Sequence, residues 1–287
     1  MGEDGTTRQL RRPVLLRVAI VTAVVAAALV AAASTVEGEQ TADAPASRRS
    51  AAPRALEVEA ASARPTPGVD SSAVPLGRPS PPPPERGRYR FVATQPGSDE
   101  PITYDPCRPI KVVVNVRTMP KGAADVVEEA LATMTAVTGF RFELEGTTDE
   151  EPDGERPSYQ PERYGDRWAP LLIAWSDELE DEGLRGAVSG RAGSRFVHDA
   201  FSDRWVYVTG MITLDGPDLA SLAKFKRGID HVRGLLLHEL AHVVGLDHVD
   251  DPEQLMHPQG QIGVTTFGPG DLHGLAIVSS GPCVPGV

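Results

Sequence analysis

The chain is short of several things that would assign it to a large class. It has only two cysteines, so at most one disulfide can form within it. Basic residues are in deficit: 28 lysines and arginines stand against 40 aspartates and glutamates, a formal net charge of -12. Gripping a phosphate backbone needs a basic footprint, so no nucleic-acid partner is expected. No internal repeat is visible. Long apolar runs are scarce as well, and one stands out. Val14 to Ala33 is nearly all apolar, interrupted by Arg17 and Thr22, with Arg8, Arg11 and Arg12 before it and acidic residues after it. Its length lies between the roughly 7 to 15 residues of a secretory core and the roughly 20 of a membrane span. Residues 1–33 are therefore expected to be either an export signal, cleaved after Ala31-Ala32-Ala33, or a single N-terminal membrane anchor. Either reading puts the N-terminus in the cytoplasm and the rest of the chain outside, an extracytoplasmic placement.

Residues 34–88 are rich in Ala, Pro, Ser, Glu and Arg, include Pro81 to Pro84, and show no sustained apolar period. Such a segment buries too little to fold and reads as a disordered, extended linker. Residues 89–287 are enough for one domain with a substantial core. Ile110 to Val116 is β-branched and bounded by Pro109 and Met119-Pro120, which predicts a strand. Val126, Val127, Ala130, Leu131 and Met134 predict a helix over Ala123 to Thr138, ending before Gly139. Further strands are expected at Arg141 to Glu145, Leu171 to Trp175 and Trp205 to Leu214, which makes the domain mixed α and β.

What the chain does have is a dense motif. His238-Glu239-Leu240-Ala241-His242-Val243-Val244-Gly245-Leu246-Asp247-His248 follows an apolar period through Ile229, Val232, Leu235 and Leu236, so it sits on a helix. Residues four apart share a helix face, which lets His238 and His242 converge on one metal ion. Gly245 suits a left-handed helix end, after which the chain can turn back and deliver His248 as a third ligand. Three protein ligands on a four-coordinate zinc leave one position open, as a catalytic site requires, with Glu239 beside it as general base. His231 is about 10 Å from His238 along the helix, too far to share the ion, and reads as a first-turn residue.

The pattern H-E-x-x-H-x-x-G-x-x-H, met by His238, Glu239, His242, Gly245 and His248, resembles the metzincin clan of zinc endopeptidases. The clan carries a methionine turn under its zinc, and Leu255-Met256-His257-Pro258 lies where that turn is expected. Leu255 before the methionine and Pro258 two residues after it are similar to the matrixins, the matrix metalloproteinase-like branch. That branch usually has tyrosine where His257 stands; with three ligands already present, His257 reads as a wall residue of the cleft. Phe267 to Leu275 is similar to the last matrixin helix, with Asp271 near its start, although Gly270 stands where the family usually has a second aspartate. The resemblance implies an α+β domain: a twisted, mostly parallel sheet with an active-site helix and a C-terminal helix. It implies a peptide or protein substrate held along an edge strand, for which the glycine-rich 186–193 segment is the candidate.

In an exported chain Cys107 and Cys283 are expected to pair. The alternative is that Cys107 is a latency thiolate on zinc, although Asp105 to Pro109 lacks the matrixin propeptide signature. The acidic runs Glu143 to Glu155 and Asp177 to Asp181 can in principle take calcium, but more often such runs are solvated loops. His198-Asp199 with Asp203 offers too few ligands for a second zinc loop. Two other functions use the same residues: a zinc amidase or cell-wall peptide hydrolase, and a non-catalytic, zinc-stabilised exported binding module.

Overall fold

The computed structural model describes residues 64–186, 188–261 and 263–287. Among the described residues there are eight strands: β1 (Arg90–Phe91), β2 (Thr103–Tyr104), β3 (Ile110–Asn115), β4 (Phe142–Thr147), β5 (Leu171–Ser176), β6 (Gly190–Asp199), β7 (Arg204–Asp215) and β8 (Leu246–Asp247). The helices are α1 (Ala123–Thr138), α2 (Pro161–Tyr164), α3 (Gly216–Leu222), α4 (Gly228–Val244) and α5 (Pro269–Val278). The main sheet runs β2-β7-β5-β3-β4 with all of those neighbours parallel, and β6 joins β7 antiparallel as an edge. The fold is thus mixed α and β around a mostly parallel sheet, with the motif on α4 and a C-terminal helix, α5.

Burial explains which elements periodicity reveals. All six residues of β5 are buried, as befits a parallel strand covered on both faces. Helix α1 buries Ala123, Val126, Val127, Ala130, Leu131 and Met134 and ends at Gly139, whose N–H donates to the Thr135 carbonyl. These residues and the buried face of α4, including Val232, Leu236, Leu240 and Val243, form one core with β3, β5 and β7.

Two expectations change. The extracytoplasmic placement is withdrawn. The 14–33 segment on which it rested lies outside the described residues, and among those no helix is long and apolar enough to cross a membrane. The longest, α4, has 17 residues and carries Asp230, Arg233 and Glu239, whereas a span needs about 20 mostly apolar ones. The second concerns the linker, of which 34–63 lies outside the described residues. Residues 64–88 run as a strap along the domain. Ser72 N–H donates to the Cys107 carbonyl at 2.7 Å, Leu76 N–H to Pro106 at 2.9 Å, and the Ser80 hydroxyl to Ala136 at 2.8 Å. A segment without apolar period is held here by backbone and polar side-chain hydrogen bonds.

Cys107 and Cys283 form a disulfide, with Cα atoms 5.3 Å apart and 176 residues between them in sequence. No thiol is left among the described residues to serve as a latency ligand. The acidic runs are engaged by cations: Glu143 and Glu145 by Lys111, Glu145 also by Arg167, Glu150 by Arg156, and Asp181 by Arg191.

Candidate metal centre and cleft

His238 and His242 project from one face of α4, and Gly245 ends that helix at φ 116°, with its N–H shared between the carbonyls of Ala241 and His242. Only glycine takes that left-handed turn without strain. The next two residues form β8, which pairs antiparallel with β1, Arg90 opposite Asp247. Val92 N–H donates to the Gly245 carbonyl at 2.9 Å, and Arg90 lies 3.2 Å from Asp247. His248 is therefore delivered by a short strand clamped to residues 90–92, an anchor that the motif alone does not reveal.

The three rings meet through their Nε2 atoms. His248 Nε2 stands 3.1 Å from His238 Nε2 and 3.1 Å from His242 Nε2. His238 Nδ1 lies 2.6 Å from the Leu255 carbonyl and His242 Nδ1 lies 2.7 Å from the Leu246 carbonyl. Those carbonyls can only accept, so Nδ1 of each ring carries the proton and both Nε2 lone pairs turn inward. Nitrogens about 2.05 Å from a tetrahedral zinc lie about 3.3 Å from one another, close to the spacing seen. Lone pairs at that separation repel unless a cation lies between them. Burial lowers the pKa of all three, with His238 brought to about 3, which keeps them neutral and able to ligate. The three residues fit Zn2+ by donor chemistry and by spacing.

Glu239 is 4% exposed and makes no hydrogen bond or ion pair among the described residues. Burial alone pushes its pKa up to about 8. Edge strand β6 passes close by: a Cβ built on Gly190 would stand 3.0 Å from Glu239 Oε1. The expected edge at 186–193 overlaps the start of β6 only at residues 190–193. Beyond it a cleft of about 400 Å³ opens beside His242 and His248, walled by Val92, Ala93, Ser194, Phe196 and Tyr207. Val92 and Ala93 had no signal in the sequence; they are two apolar residues outside any periodic run.

Behind His238, whose Nδ1 meets the Leu255 carbonyl, the Leu255–Met256 turn is tied to α5. Met256 is 1% exposed, and its carbonyl accepts from Val249 N–H at 3.0 Å. Asp271, fully buried at the start of α5, accepts from the N–H groups of Leu255 at 2.7 Å and Gly268 at 2.9 Å. It ties the turn to the helix, a role its position in sequence did not disclose. At Gly270, where the resemblance leads one to expect a second aspartate, a Cβ would lie 2.2 Å from the Arg88 carbonyl oxygen. The incoming chain occupies that space.

His257 stays outside the cluster, hydrogen-bonded around Gln259 and Gln261, and close enough that its charge lowers the pKa of His238 and His248. His231 lies in the first turn of α4. His198 contacts Asp203 at 2.9 Å, and Asp199 accepts from Ser202 N–H and hydroxyl, so these residues serve the β6–β7 hairpin.

No family model matches the chain, and no curated protein does. Among solved structures it is similar to archaemetzincin from Methanopyrus kandleri, at 16% identity and a TM-score of 0.39, over 59% of this chain and 95% of that one.

Proposed function

We propose that the chain is a zinc-dependent endopeptidase, matrixin-like in its catalytic segment, that hydrolyses peptide bonds with Glu239 as general base. The observation that carries this is the juxtaposition of three converging imidazoles with a buried carboxylate that has no partner among the described residues, all beside an open sheet edge. Zinc held by His238, His242 and His248 supplies Lewis-acid polarisation of the scissile carbonyl and makes a bound water more acidic. Glu239 takes the proton of the attacking water and passes it to the leaving amine. Strand β6 holds an extended peptide by main-chain hydrogen bonds, and the cleft walled by Phe196 and Tyr207 selects its side chain. Leu255 and Leu246 carbonyls hold the His238 and His242 rings in register, so the ligands need not reorganise.

A non-catalytic zinc module has no use for an unpartnered buried carboxylate, which costs free energy in the folded state. A peptide-library digest by the metal-loaded protein, with and without chelator, tests the proposal. Cleavage lost with chelator and regained with zinc supports it. Digestion of muropeptides but not of casein moves the assignment to a cell-wall amidase, and no cleavage of either by zinc-loaded protein overturns catalysis.

A further inference from the structure

Away from the histidines the main sheet contains a fork. Strand β7 pairs with β2 at Val206 and Tyr207 and with β5 only from Met211 onward. The gap left between β2 and β5 holds a cavity of about 40 Å³, lined by residues that include Asp105, Arg108, Trp168 and Tyr207. One buried water needs roughly 10 to 15 Å³ by this kind of measure, so the space takes about three to four water-sized groups and suits only the smallest organic acids.

Its polar lining is unusual. Arg108 Nε and Nη2, Asp105 Oδ2, Trp168 Nε1 and Tyr207 OH are all buried and make no hydrogen bond among the described residues. Asp105, Trp168 and Tyr207 are each more than nine-tenths buried. Buried polar side chains almost always find partners, and leaving one without costs free energy, so five such atoms on four residues around one cavity call for a guest. Lys111 and Arg167 also line the space but are engaged with Glu145, so Arg108 is the cation with donors to spare.

We propose that this cavity binds a small carboxylate carrying a second hydrogen-bond donor, an α-hydroxy or α-amino acid, held side-on by Arg108. Nε and Nη2 lie on the same edge of a guanidinium, the edge that meets two carboxylate oxygens with parallel bonds. Trp168 Nε1–H donates to a carboxylate lone pair that the fork leaves open. Asp105 holds its loop through Oδ1, which accepts from Cys107 N–H at 2.8 Å, and the Val284 N–H also faces the carboxyl; Oδ2, without a hydrogen bond of good geometry among the described residues, accepts from the guest's hydroxyl or ammonium. Burial displaces both charged residues towards neutrality, Asp105 upward and Arg108 downward, as it does where charges lack full partnership.

The test is calorimetric titration of the full chain with glycolate, glycine, acetate and inorganic phosphate at constant ionic strength. Saturable binding of glycolate or glycine is expected, at least tenfold weaker for acetate and for phosphate. Arg108→Gln should weaken it at least tenfold and Trp168→Phe several-fold, with zinc content unchanged in both. No saturable binding of any probe, or undiminished binding in both variants, overturns the proposal. Acetate binding as tightly as glycolate removes Asp105 from the site, and phosphate binding more tightly than both acids overturns the carboxylate assignment. Should Arg108→Gln fail to fold by circular dichroism, Trp168→Phe, which keeps shape and removes one donor, decides alone.

Discussion

Two buried glutamates in this molecule have opposite surroundings. Glu150, 8% exposed, accepts from Arg156 Nε and Nη2 at 2.9 Å each, from Tyr164 OH at 2.6 Å and from Gln160 Nε2 at 2.6 Å. Burial works to raise its pKa, but those bonds outweigh it and hold the carboxyl below the usual range. Glu239 is buried as deeply, has no partner among the described residues, and is pushed up to about 8 by burial alone. The difference separates two uses of charge in a protein interior. A carboxylate whose bonds are all satisfied from within fastens elements together; here it joins the 148–164 loop to Thr209 and Pro170 through Arg156. A carboxylate left without bonds is kept for something that arrives from outside.

The largest expected effect tests that division directly. Glu239→Gln should lower peptide cleavage by about 10²- to 10⁴-fold, the range for loss of a general base, while zinc content and melting temperature hold. Retained turnover at full zinc content would remove Glu239 from that role. Arg156→Ala should do the reverse. It strands Glu150 without its ion pair and should cost about 3 to 5 kcal/mol of unfolding free energy, read by denaturant titration, with activity per folded molecule unchanged. Acid provides a third contrast. Because Glu150 has a depressed folded-state pKa, its contribution to stability is complete above its unfolded value of about 4.3 and is lost as pH falls through the folded value. Stability below pH 5 should therefore fall less steeply in Glu150→Gln than in the parent, and parallel curves would deny Glu150 its structural charge. The smallest effect belongs to Tyr164→Phe, which removes one hydroxyl bond to Glu150 and should cost about 0.5 to 1.5 kcal/mol in the same titration.

How much of this was legible in the sequence depends on how local the cause is. His238, Glu239, His242 and Gly245 lie within one helix and its end, so their spacing carries the geometry, whereas His248 follows β8 and owes its place to the clamp on residues 90–92. The α1 helix and strands β3, β5 and β7 were legible because each buries a regular face or is buried throughout. Strand β6 was only partly so: Gly190, Arg191, Gly193, Ser194 and Arg195 give no alternation, since an edge strand with one solvated face takes its order from its pairing with β7. The clamp of β1 on β8, the strap over 64–88 and the Glu150 network were not legible. The first two join residues far apart in sequence and the third gathers loop residues 150 to 164, all through backbone or polar bonds, which leave no periodic trace. Gly270 shows the limit of family resemblance, because what replaces the expected side chain is the backbone at Arg88.

The Cys107–Cys283 bond closes nearly the whole sheet and both long helices into one ring. A ring tolerates a nick. Exposed loop tips are where peptide chains are cut, and Leu179, 86% exposed, sits on such a tip inside the ring. A single cut there leaves the two pieces covalently joined, one band on a non-reducing gel and two once reductant is added. For a chain with an exposed loop inside that ring, a first cut is survivable.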